Sequence, residues 1–267
     1  MINRDMERFI TEQEWSHIPE VDRQAIAVAM SRDRMEGAQK EIRLPNTFYV
    51  KYGKRLFDFL FGLIGCLVFL PINLMIAVIT FFDVGRPIIF RQERVGRDGK
   101  VFSLIKFRNM TNETNEDGVL LPPKNRITKW GKFVRKTSLD ELLNFWSILK
   151  GDMSLIGPRP LPKKYLIRYS AYHQQRHLVR PGLECPFHEE GMAKEGWQGR
   201  FDNDIWYIEH LSFKTDLKMM LLLIKKVLSS TEREASASGR IGEFIGYNEN
   251  GTAINEWEIP RKYLKMI

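Results

Sequence analysis

Two adjacent carboxylates, Asp140 and Glu141, lie in the most basic part of the chain and are the residues best suited to chemistry. Residues 101–180 contain 15 Lys and Arg against 6 Asp and Glu, a net charge of +9, whereas the whole chain carries +8. Such a concentration of positive charge suits a phosphorylated substrate or an anionic surface. An ionised aspartate can attack a phosphorus electrophile, and a neighbouring glutamate can bind Mg²⁺, which prefers one or two carboxylates together with phosphate oxygens.

A structural role for this pair is the competing interpretation. Ser138 precedes Glu141 by three residues just before an apolar run, which is the signature of a capping box at a helix N-terminus. Acidic side chains there favour the helix dipole. The same position, with Arg135 close in sequence, predicts that the carboxylates stay ionised. On these residues alone both roles remain open.

An arginine held between two prolines follows the carboxylate pair. The rings of Pro158 and Pro160 restrict the backbone on both sides of Arg159. A guanidinium fixed in this way presents a fork of donors for bidentate contact with a phosphate. The alternative is a rigid turn that carries a solvated arginine.

The element predicted to bring these groups to a membrane is an uncharged stretch of 24 residues, 59–82, with Pro71 in its middle. It is long enough to cross a bilayer, which takes about 20 apolar residues. Lysines and arginines flank both of its ends, however, and such residues mark the cytoplasmic side. The sequence therefore favours a segment that enters the bilayer, breaks near Pro71 and leaves by the same face; a straight transmembrane helix with a proline kink is the alternative. Asn73 is expected to hydrogen-bond the backbone groups freed by the break.

A β-hairpin and a long polar loop are predicted after this segment. Strand-like runs at 87–95 and 100–107 are joined by Asp98-Gly99, a typical hairpin turn. Residues 111–125 are polar and end in two prolines, which indicates a surface loop long enough to act as a lid.

Two amphipathic helices are predicted further on. Residues 126–136 combine basic residues with Trp130, which suits either a membrane interface or packing on a core. The position of this helix beside the membrane segment favours the interface. Residues 217–228 are apolar but carry three lysines and are too short to span a bilayer, so they form an interfacial or a core helix.

Other features exclude several classes of protein. Cys66 and Cys185 are the two cysteines and give neither a disulfide framework nor a metal-binding spacing. His173 and His177 share a helical face but lack the further ligands that zinc requires. The isoelectric point of about 9.4 alone would suit a nucleic-acid binder, but no motif interleaves aromatic and basic residues.

An ordered series of motifs resembles the bacterial sugar transferase family, the monotopic phosphoglycosyl transferases that begin the assembly of lipid-linked glycans such as exopolysaccharides and lipopolysaccharides. The motifs are residues 106–110, 135–141, 149–160, 180–182, 206–212 and 216–218. Family members move a phospho-sugar from a nucleotide diphosphate sugar to polyprenyl phosphate. The resemblance extends from about residue 49 to residue 228.

The resemblance implies that Asp140 attacks the sugar-bearing phosphate and forms a covalent phosphosugar–aspartate, which polyprenyl phosphate then resolves. It also implies that Glu141 binds Mg²⁺ together with Asp140 or acts as a base. The other residues carried over are Lys106, Arg135 and Arg159 as phosphate-binding groups, Asp204 as a supporting residue, and Pro71 at the membrane bend.

Two places depart from the family pattern. Leu70 stands where many members carry a serine before the proline of the membrane helix. Residues 183–191 replace the usual Thr-Gly and Gln-Val-Asn-Gly-Arg pattern, and we expect this segment to touch the substrate. The sugar and the nucleotide are therefore not implied by the resemblance.

The predicted fold is α+β and predominantly helical, with a re-entrant membrane helix-break-helix, interfacial amphipathic helices and a small β-hairpin. The chain divides into a polar N-terminal appendix with a helical patch at 21–30 (1–48), the re-entrant helix with its flanks (49–86), the catalytic domain (87–228) and a weakly ordered C-terminal extension (229–267).

The predicted activity is transfer of a phospho-sugar from a UDP-sugar to undecaprenyl phosphate, as the first membrane step of glycan assembly, with Mg²⁺ as cofactor. The expected partners are the nucleotide sugar, polyprenyl phosphate and membrane lipid, but no nucleic acid; homo-oligomerisation is left open. The catalytic domain is expected on the cytoplasmic face of the bacterial inner membrane. A membrane-attached basic scaffold or adaptor without catalysis is the alternative.

Overall fold

The computed structural model describes residues 9, 12–32, 40–189, 192–228 and 241–266. Within these ranges the chain is mostly helical and contains small two-stranded sheets, which confirms the predicted α+β class. The helices are α1 (Glu12–His17), α2 (Glu20–Arg32), α3 (Lys54–Val68), α4 (Leu70–Val84), α5 (Pro123–Arg126), α6 (Lys129–Lys136), α7 (Asn144–Lys150), α8 (Ala171–Gln174), α9 (Gly196–Glu209) and α10 (Phe213–Leu228). The strands are β1 (Ile89–Val95), β2 (Val101–Phe107), β3 (Ser154–Ile156), β4 (Gly182–Glu184), β5 (Phe244–Tyr247) and β6 (Ala253–Asn255).

The uncharged stretch forms two helices, α3 and α4, that meet at Phe69. Pro71 lies in the first turn of α4, where the missing N–H removes no helical hydrogen bond. Among the described helices none is by itself long and apolar enough to cross a membrane; the pair Tyr49–Val68 and Leu70–Val84 together meets that requirement by length and composition, and its axis bends by 56° at the break. The predicted break near Pro71 is confirmed.

The predicted role of Asn73 at this break is wrong. Its Oδ1 atom is buried without a hydrogen-bond partner. The backbone bonds across the break instead, because the N–H of Phe69 donates to the carbonyl of Gly65 at 3.0 Å and the N–H of Asn73 donates to that of Phe69 at 2.8 Å. These two backbone bonds span the break without the Asn73 side chain.

Helix α3 packs against α7, the helix that follows the carboxylate pair. Gly65 of α3 lies directly against Phe145 of α7, since a Cβ atom at Gly65 would be 2.1 Å from Cδ1 of that ring. At the start of α3, Oδ1 of buried Asp58 accepts hydrogen bonds from Oγ of Ser154 at 2.9 Å and from the N–H of Leu155 at 3.1 Å. Helix α3 is thus attached to β3 through Asp58 and to α7 through Gly65.

Strands β1 and β2 form the predicted antiparallel hairpin, with Phe90 opposite Lys106 and Arg94 opposite Phe102. Asp98 and Gly99 both have positive φ, 56° and 74°, as the tight turn of such a hairpin requires. Arg108, buried directly after β2, donates to the carbonyl of Arg86 at 3.1 Å and to that of Val84. The end of α4 is therefore held beside the hairpin.

Helix α6 packs on α4 and leaves the side chain of Phe133 partly exposed. Nε1 of Trp130 donates to Oγ1 of Thr80 at 3.2 Å, and Oγ1 of Thr128 donates to Asp83 at 2.5 Å. Phe133 is half exposed. The packing interpretation of residues 126–136 is therefore confirmed for the contact with α4, and the membrane-interface interpretation stays a prediction.

Helix α10 likewise has two apolar faces. Met219 is buried in the core together with Asp216. A second row of side chains on the helix is exposed and lies among Lys214, Lys218 and Lys225. The exposed row consists of Phe213, Leu217, Leu221 and Ile224.

The two ends of the chain pack on each other. Ile26 and Met30 of α2 share a buried cluster with Ile245 of β5 and Ile254 of β6. The helical patch predicted at 21–30 is confirmed as part of α2, but the predicted weak order of the C-terminal extension is wrong for residues 241–266. The remainder of that prediction, residues 229–240 and 267, lies outside the described residues.

Candidate active site

The carboxylate pair lies in a 3₁₀ turn, Leu139–Glu141, that precedes α7. Ser138 has φ 57°, a left-handed conformation, and its side chain caps no helix. Helix α7 begins only at Asn144. The predicted capping box is therefore wrong, and the side chain of Glu141 is free to bind groups from other parts of the chain.

Glu141 is bound by two cations that come from distant segments. Its Oε1 atom is 2.5 Å from Nζ of Lys106 in β2 and 3.0 Å from Nη2 of Arg159. Burial by itself raises the pKa of Glu141, but the charges and hydrogen bonds of Arg159 and Lys106 outweigh burial and lower it to about 2. Glu141 is consequently ionised at neutral pH and holds the two predicted phosphate-binding cations next to Asp140.

Asp140 is 5% exposed, and its Oδ2 atom accepts a hydrogen bond of 3.3 Å from Nδ2 of Asn109. Burial raises the pKa of Asp140, while the charge of Lys106 opposes the change. The sequence predicted an ordinary ionised acid at a helix N-terminus; the structure instead places Asp140 in a 3₁₀ turn with little hydration. A poorly hydrated carboxylate is a stronger nucleophile than a solvated one, because less water must be removed before attack.

A glycine in α6 brings that helix against Asn109. A Cβ atom at Gly131 would be 2.0 Å from the carbonyl oxygen of Asn109, so the two backbones are in direct contact. Asn109 is held between α6 and the Asp140 carboxylate in this way. It belongs to the motif 106–110, yet its contact with Asp140 was not predicted.

Arg159 is oriented by a buried ion pair behind it. Nη2 of Arg176 donates to the carbonyl of Arg159 at 2.9 Å and is 2.6 Å from Oδ2 of Asp204. Both members of the pair are buried. Burial raises the pKa of Asp204, and the charge of Arg176 opposes it. Asp204 therefore acts on the site through Arg176, which no local sequence signal identified.

The segment that departs from the family pattern reaches the same arginine. Nη1 of Arg159 donates to the carbonyl of Leu183 at 3.3 Å and to Oε2 of Glu184 at 3.5 Å. This contact places β4 beside the predicted phosphate-binding group. The expectation that residues 183–191 touch the substrate stays a prediction, and residues 190 and 191 lie outside the described ranges.

The remaining predicted site residues lie at the margin of this cluster. Arg135, in the last turn of α6, is exposed and contributes its charge, which lowers the pKa of Asp140. Pro71 belongs to the break between α3 and α4. The structure thus brings Lys106 and Arg159 into direct contact with Glu141. Asp140 lies within electrostatic range of Lys106 and Arg135.

A Mg²⁺ ion at Asp140 and Glu141 would need further ligands from outside the protein side chains. Across the described ranges, no group of three or more His, Cys, Asp and Glu side chains could hold a metal by itself. Lys106 and Arg159 both bind Oε1 of Glu141. The oxygen atoms that would bind a metal ion are therefore Oε2 of Glu141 and the carboxylate of Asp140. Mg²⁺ prefers such a small set of carboxylates supplemented by phosphate oxygens and water.

The histidines near α8 have structural contacts. Nδ1 of His173 bonds to the hydroxyl of Tyr247 at 2.9 Å, and Nε2 lies 3.0 Å from Oδ1 of Asp202. Both ring nitrogens of His173 are therefore engaged, whereas Nε2 of His177 is buried without a hydrogen-bond partner.

Comparison with known proteins identifies similar chains. The uncharacterized sugar transferase EpsL of Bacillus subtilis is 42% identical over 178 residues, 66% of this chain and 88% of that protein. The UDP-N-acetylgalactosamine-undecaprenyl-phosphate N-acetylgalactosaminephosphotransferase of Aeromonas hydrophila is 30% identical over 84% of this chain, and the UDP-glucose:undecaprenyl-phosphate glucose-1-phosphate transferase of Klebsiella pneumoniae is 39% identical over 65% of it.

The length of the match differs between these relatives. The alignment covers 56% of the Aeromonas protein and 39% of the Klebsiella protein, so each contains sequence beyond the shared region. A family model described as bacterial sugar transferase matches residues 49–230, which include the helix pair α3–α4, the carboxylate pair and the Arg159 segment. The chain therefore belongs to the bacterial sugar transferase family.

Proposed function

We propose that this protein transfers a sugar 1-phosphate from a UDP-sugar to polyprenyl phosphate and releases UMP. Family membership and the names of the relatives support this class of reaction. The observation that carries the proposal is the position of Asp140, a buried carboxylate next to Glu141, whose own carboxylate binds Lys106 and Arg159. A nucleophile and two phosphate-binding cations thus occur in one cluster.

The reaction would proceed in two displacements at the same phosphorus atom. A carboxylate oxygen of Asp140 attacks the phosphorus that carries the sugar, the bond from that phosphorus to the bridging oxygen breaks, and UMP leaves with the electron pair. A phosphate oxygen of polyprenyl phosphate then attacks the phosphosugar–aspartate. The phosphorus–aspartate bond breaks, the carboxylate of Asp140 is restored, and the product is a polyprenyl diphosphate sugar.

Lys106 and Arg159 would stabilise negative charge on the phosphoryl oxygens during both displacements. We assign Glu141 to holding these cations rather than to proton abstraction, because a carboxylate whose pKa is about 2 is a weak base at neutral pH. Mg²⁺ bound by Asp140 and Glu141 would supply further neutralisation of phosphate charge.

We propose further that α3 and α4 enter one leaflet and return to the same face, which places the site at the cytoplasmic surface of the bacterial inner membrane. The 56° bend between the helices and the basic residues on both flanks support this arrangement. The exposed apolar row of α10, among its lysines, suits a helix in contact with an anionic membrane surface. A polyprenyl phosphate could then meet a soluble nucleotide sugar at the carboxylate pair.

The test uses the full chain in detergent micelles with Mg²⁺, undecaprenyl phosphate and a panel of UDP-sugars. We expect UMP release with at least one sugar, and a labelled phosphosugar on the protein when polyprenyl phosphate is omitted. D140N should abolish both signals. Transfer that persists in D140N would contradict the covalent step, and a wild-type protein without transfer from any UDP-sugar would favour the scaffold alternative.

A further inference from the structure

Arg94 is an arginine near the carboxylate pair to which neither the motifs nor the proposed chemistry assigns a role. In the pairing of β1 with β2, Phe90 is opposite Lys106 and Arg94 is opposite Phe102. Side chains alternate between the two faces of a strand, and directly opposed residues share a face. Arg94, four residues after Phe90, therefore lies on the face of the hairpin from which Lys106 reaches Glu141.

The end of β1 is also attached to the segment that carries Arg159. The N–H of Val95 donates to the carbonyl of Leu161 at 3.1 Å, and Arg94 forms an isolated antiparallel bridge with Pro162. The backbone at Arg94 is thus held beside Pro162, which follows Arg159 by three residues in the sequence. In agreement with this proximity, burial lowers the pKa of Arg94 and the positive charge of Arg159 lowers it further, while Glu141 has the opposite effect.

Arg94 differs from the neighbouring cations in its unused donors. Lys106 and Arg159 bind Glu141. Arg94 donates one hydrogen bond within the described ranges, from Nη2 to Oε1 of Gln92 at 2.6 Å, and its Nε atom is enclosed by protein without a partner. A guanidinium has five N–H donors, and enclosed donors without an acceptor are uncommon because they cost free energy. Nη1 of Arg94 has no hydrogen bond within the described ranges and is not enclosed, so this end of the guanidinium is the part that an anionic ligand can reach.

We infer that Arg94 is a further phosphate-binding residue, which together with Arg159 binds the diphosphate of the nucleotide sugar. The assignment rests on the proposed transfer from a nucleotide sugar and adds a residue to its donor site. Two guanidinium groups in proximity repel each other, and a diphosphate offers enough charge and enough oxygen acceptors to bind both forks. Gln92 is then a positioning residue, because its carbonyl oxygen orients the Arg94 side chain.

The experiment compares R94Q and R94K with R91Q in the full chain in detergent micelles. Arg91 is a matched control, since it is exposed and lies on the same strand but on the opposite face. Calorimetry measures the Kd of UDP and of inorganic pyrophosphate, and initial rates give KM separately for the UDP-sugar and for polyprenyl phosphate. We expect R94Q to weaken UDP and pyrophosphate binding about 10- to 100-fold and to raise KM for the UDP-sugar alone. R94K keeps the positive charge but lacks the forked guanidinium, so its Kd and KM values should lie between those of the wild type and R94Q. R91Q should have the same values as the wild type.

Unchanged affinity for UDP and pyrophosphate in a folded R94Q would overturn the assignment. A lower Tm and a lower kcat in both Arg94 variants, with KM and Kd unaltered, would show a structural role and overturn it as well; if R94Q does not fold, R94K decides. A wild-type protein that binds UDP through Arg94 but transfers no sugar would refute the proposed reaction and leave the phosphate site standing. Transfer that proceeds normally in R94Q refutes the Arg94 assignment alone.

Discussion

Lys106 and Glu141 are 35 residues apart in the sequence, yet Nζ of Lys106 lies 2.5 Å from Oε1 of Glu141. The contact joins β2 to the 3₁₀ turn that carries the carboxylates. Arg159, which follows Glu141 in the sequence whereas Lys106 precedes it, binds the same oxygen atom. Glu141 is therefore the point at which three separate motifs meet, and its contacts fix the positions of two cations.

The first prediction concerns this contact and uses K106M, E141Q and the double variant. Each single change should lower kcat/KM by about 10²- to 10³-fold, the usual cost of removing one group that stabilises transition-state charge. Their effects should not multiply in the double variant, because both remove the same Lys106–Glu141 pair. Steady-state kinetics of UMP release measure the cycle, and K100M, an exposed lysine just before β2, is the control. Strictly multiplicative effects would show that the contact has no part in catalysis.

Local sequence patterns correctly predicted the elements that depend on neighbouring residues, namely the hairpin turn and the helix break. The Asp98-Gly99 turn requires positive φ at both positions, and the helix break follows from Pro71 and its neighbours. The capping box at Ser138 was wrong because Glu141 finds stronger partners, two cations, in segments that a local pattern does not include.

Contacts between distant segments account for what the sequence did not predict. The apolar face of α2 is covered by β5 and β6, more than 200 residues later. Arg176 lies outside the motifs, and only its ion pair with Asp204 and its bond to the Arg159 carbonyl show its role. The motifs thus contained Lys106, Glu141 and Arg159, which meet in the structure, whereas the residues that hold them in place required the fold.

The second prediction is the pH dependence of the first displacement. Asp140 must be ionised to attack phosphorus, and burial raises its pKa above the ordinary value of 3.8. The rate of UMP release in a single turnover should therefore decrease on acidification. The midpoint of this decrease should lie at a higher pH than it would for an aspartate of ordinary pKa. Lys106 favours the ionised form, so K106M should move this acidic limb to still higher pH. An acidic limb that is unmoved in K106M, with K100M as the reference, would contradict the assignment of Asp140.

The third prediction concerns the buried pair Asp204–Arg176. D204N leaves Arg176 buried without a counter-ion, which costs about 3–5 kcal/mol of folding free energy. It should also lower kcat/KM, because Arg176 holds the carbonyl of Arg159. Thermal unfolding and steady-state kinetics measure the two effects. D202N is the matched control on the same helix, since Asp202 is 37% exposed and contacts His173 instead; similar losses in both variants would show that the pair has no special part in placing Arg159.

The fourth prediction concerns the contact by which α3 meets α7. Gly65 allows the helix to lie directly on Phe145, and a Cβ atom there would be 2.1 Å from the ring. G65V should push the two helices apart, cost about 1–3 kcal/mol or more through overpacking and lower the rate of transfer, because α7 follows the turn that carries Asp140. The control is I64V, at the adjacent exposed position of α3, which should leave Tm and rate unchanged. If G65V and I64V have the same Tm in micelles, α3 does not pack on α7 through this glycine, and α3 does not position the carboxylate pair through that contact.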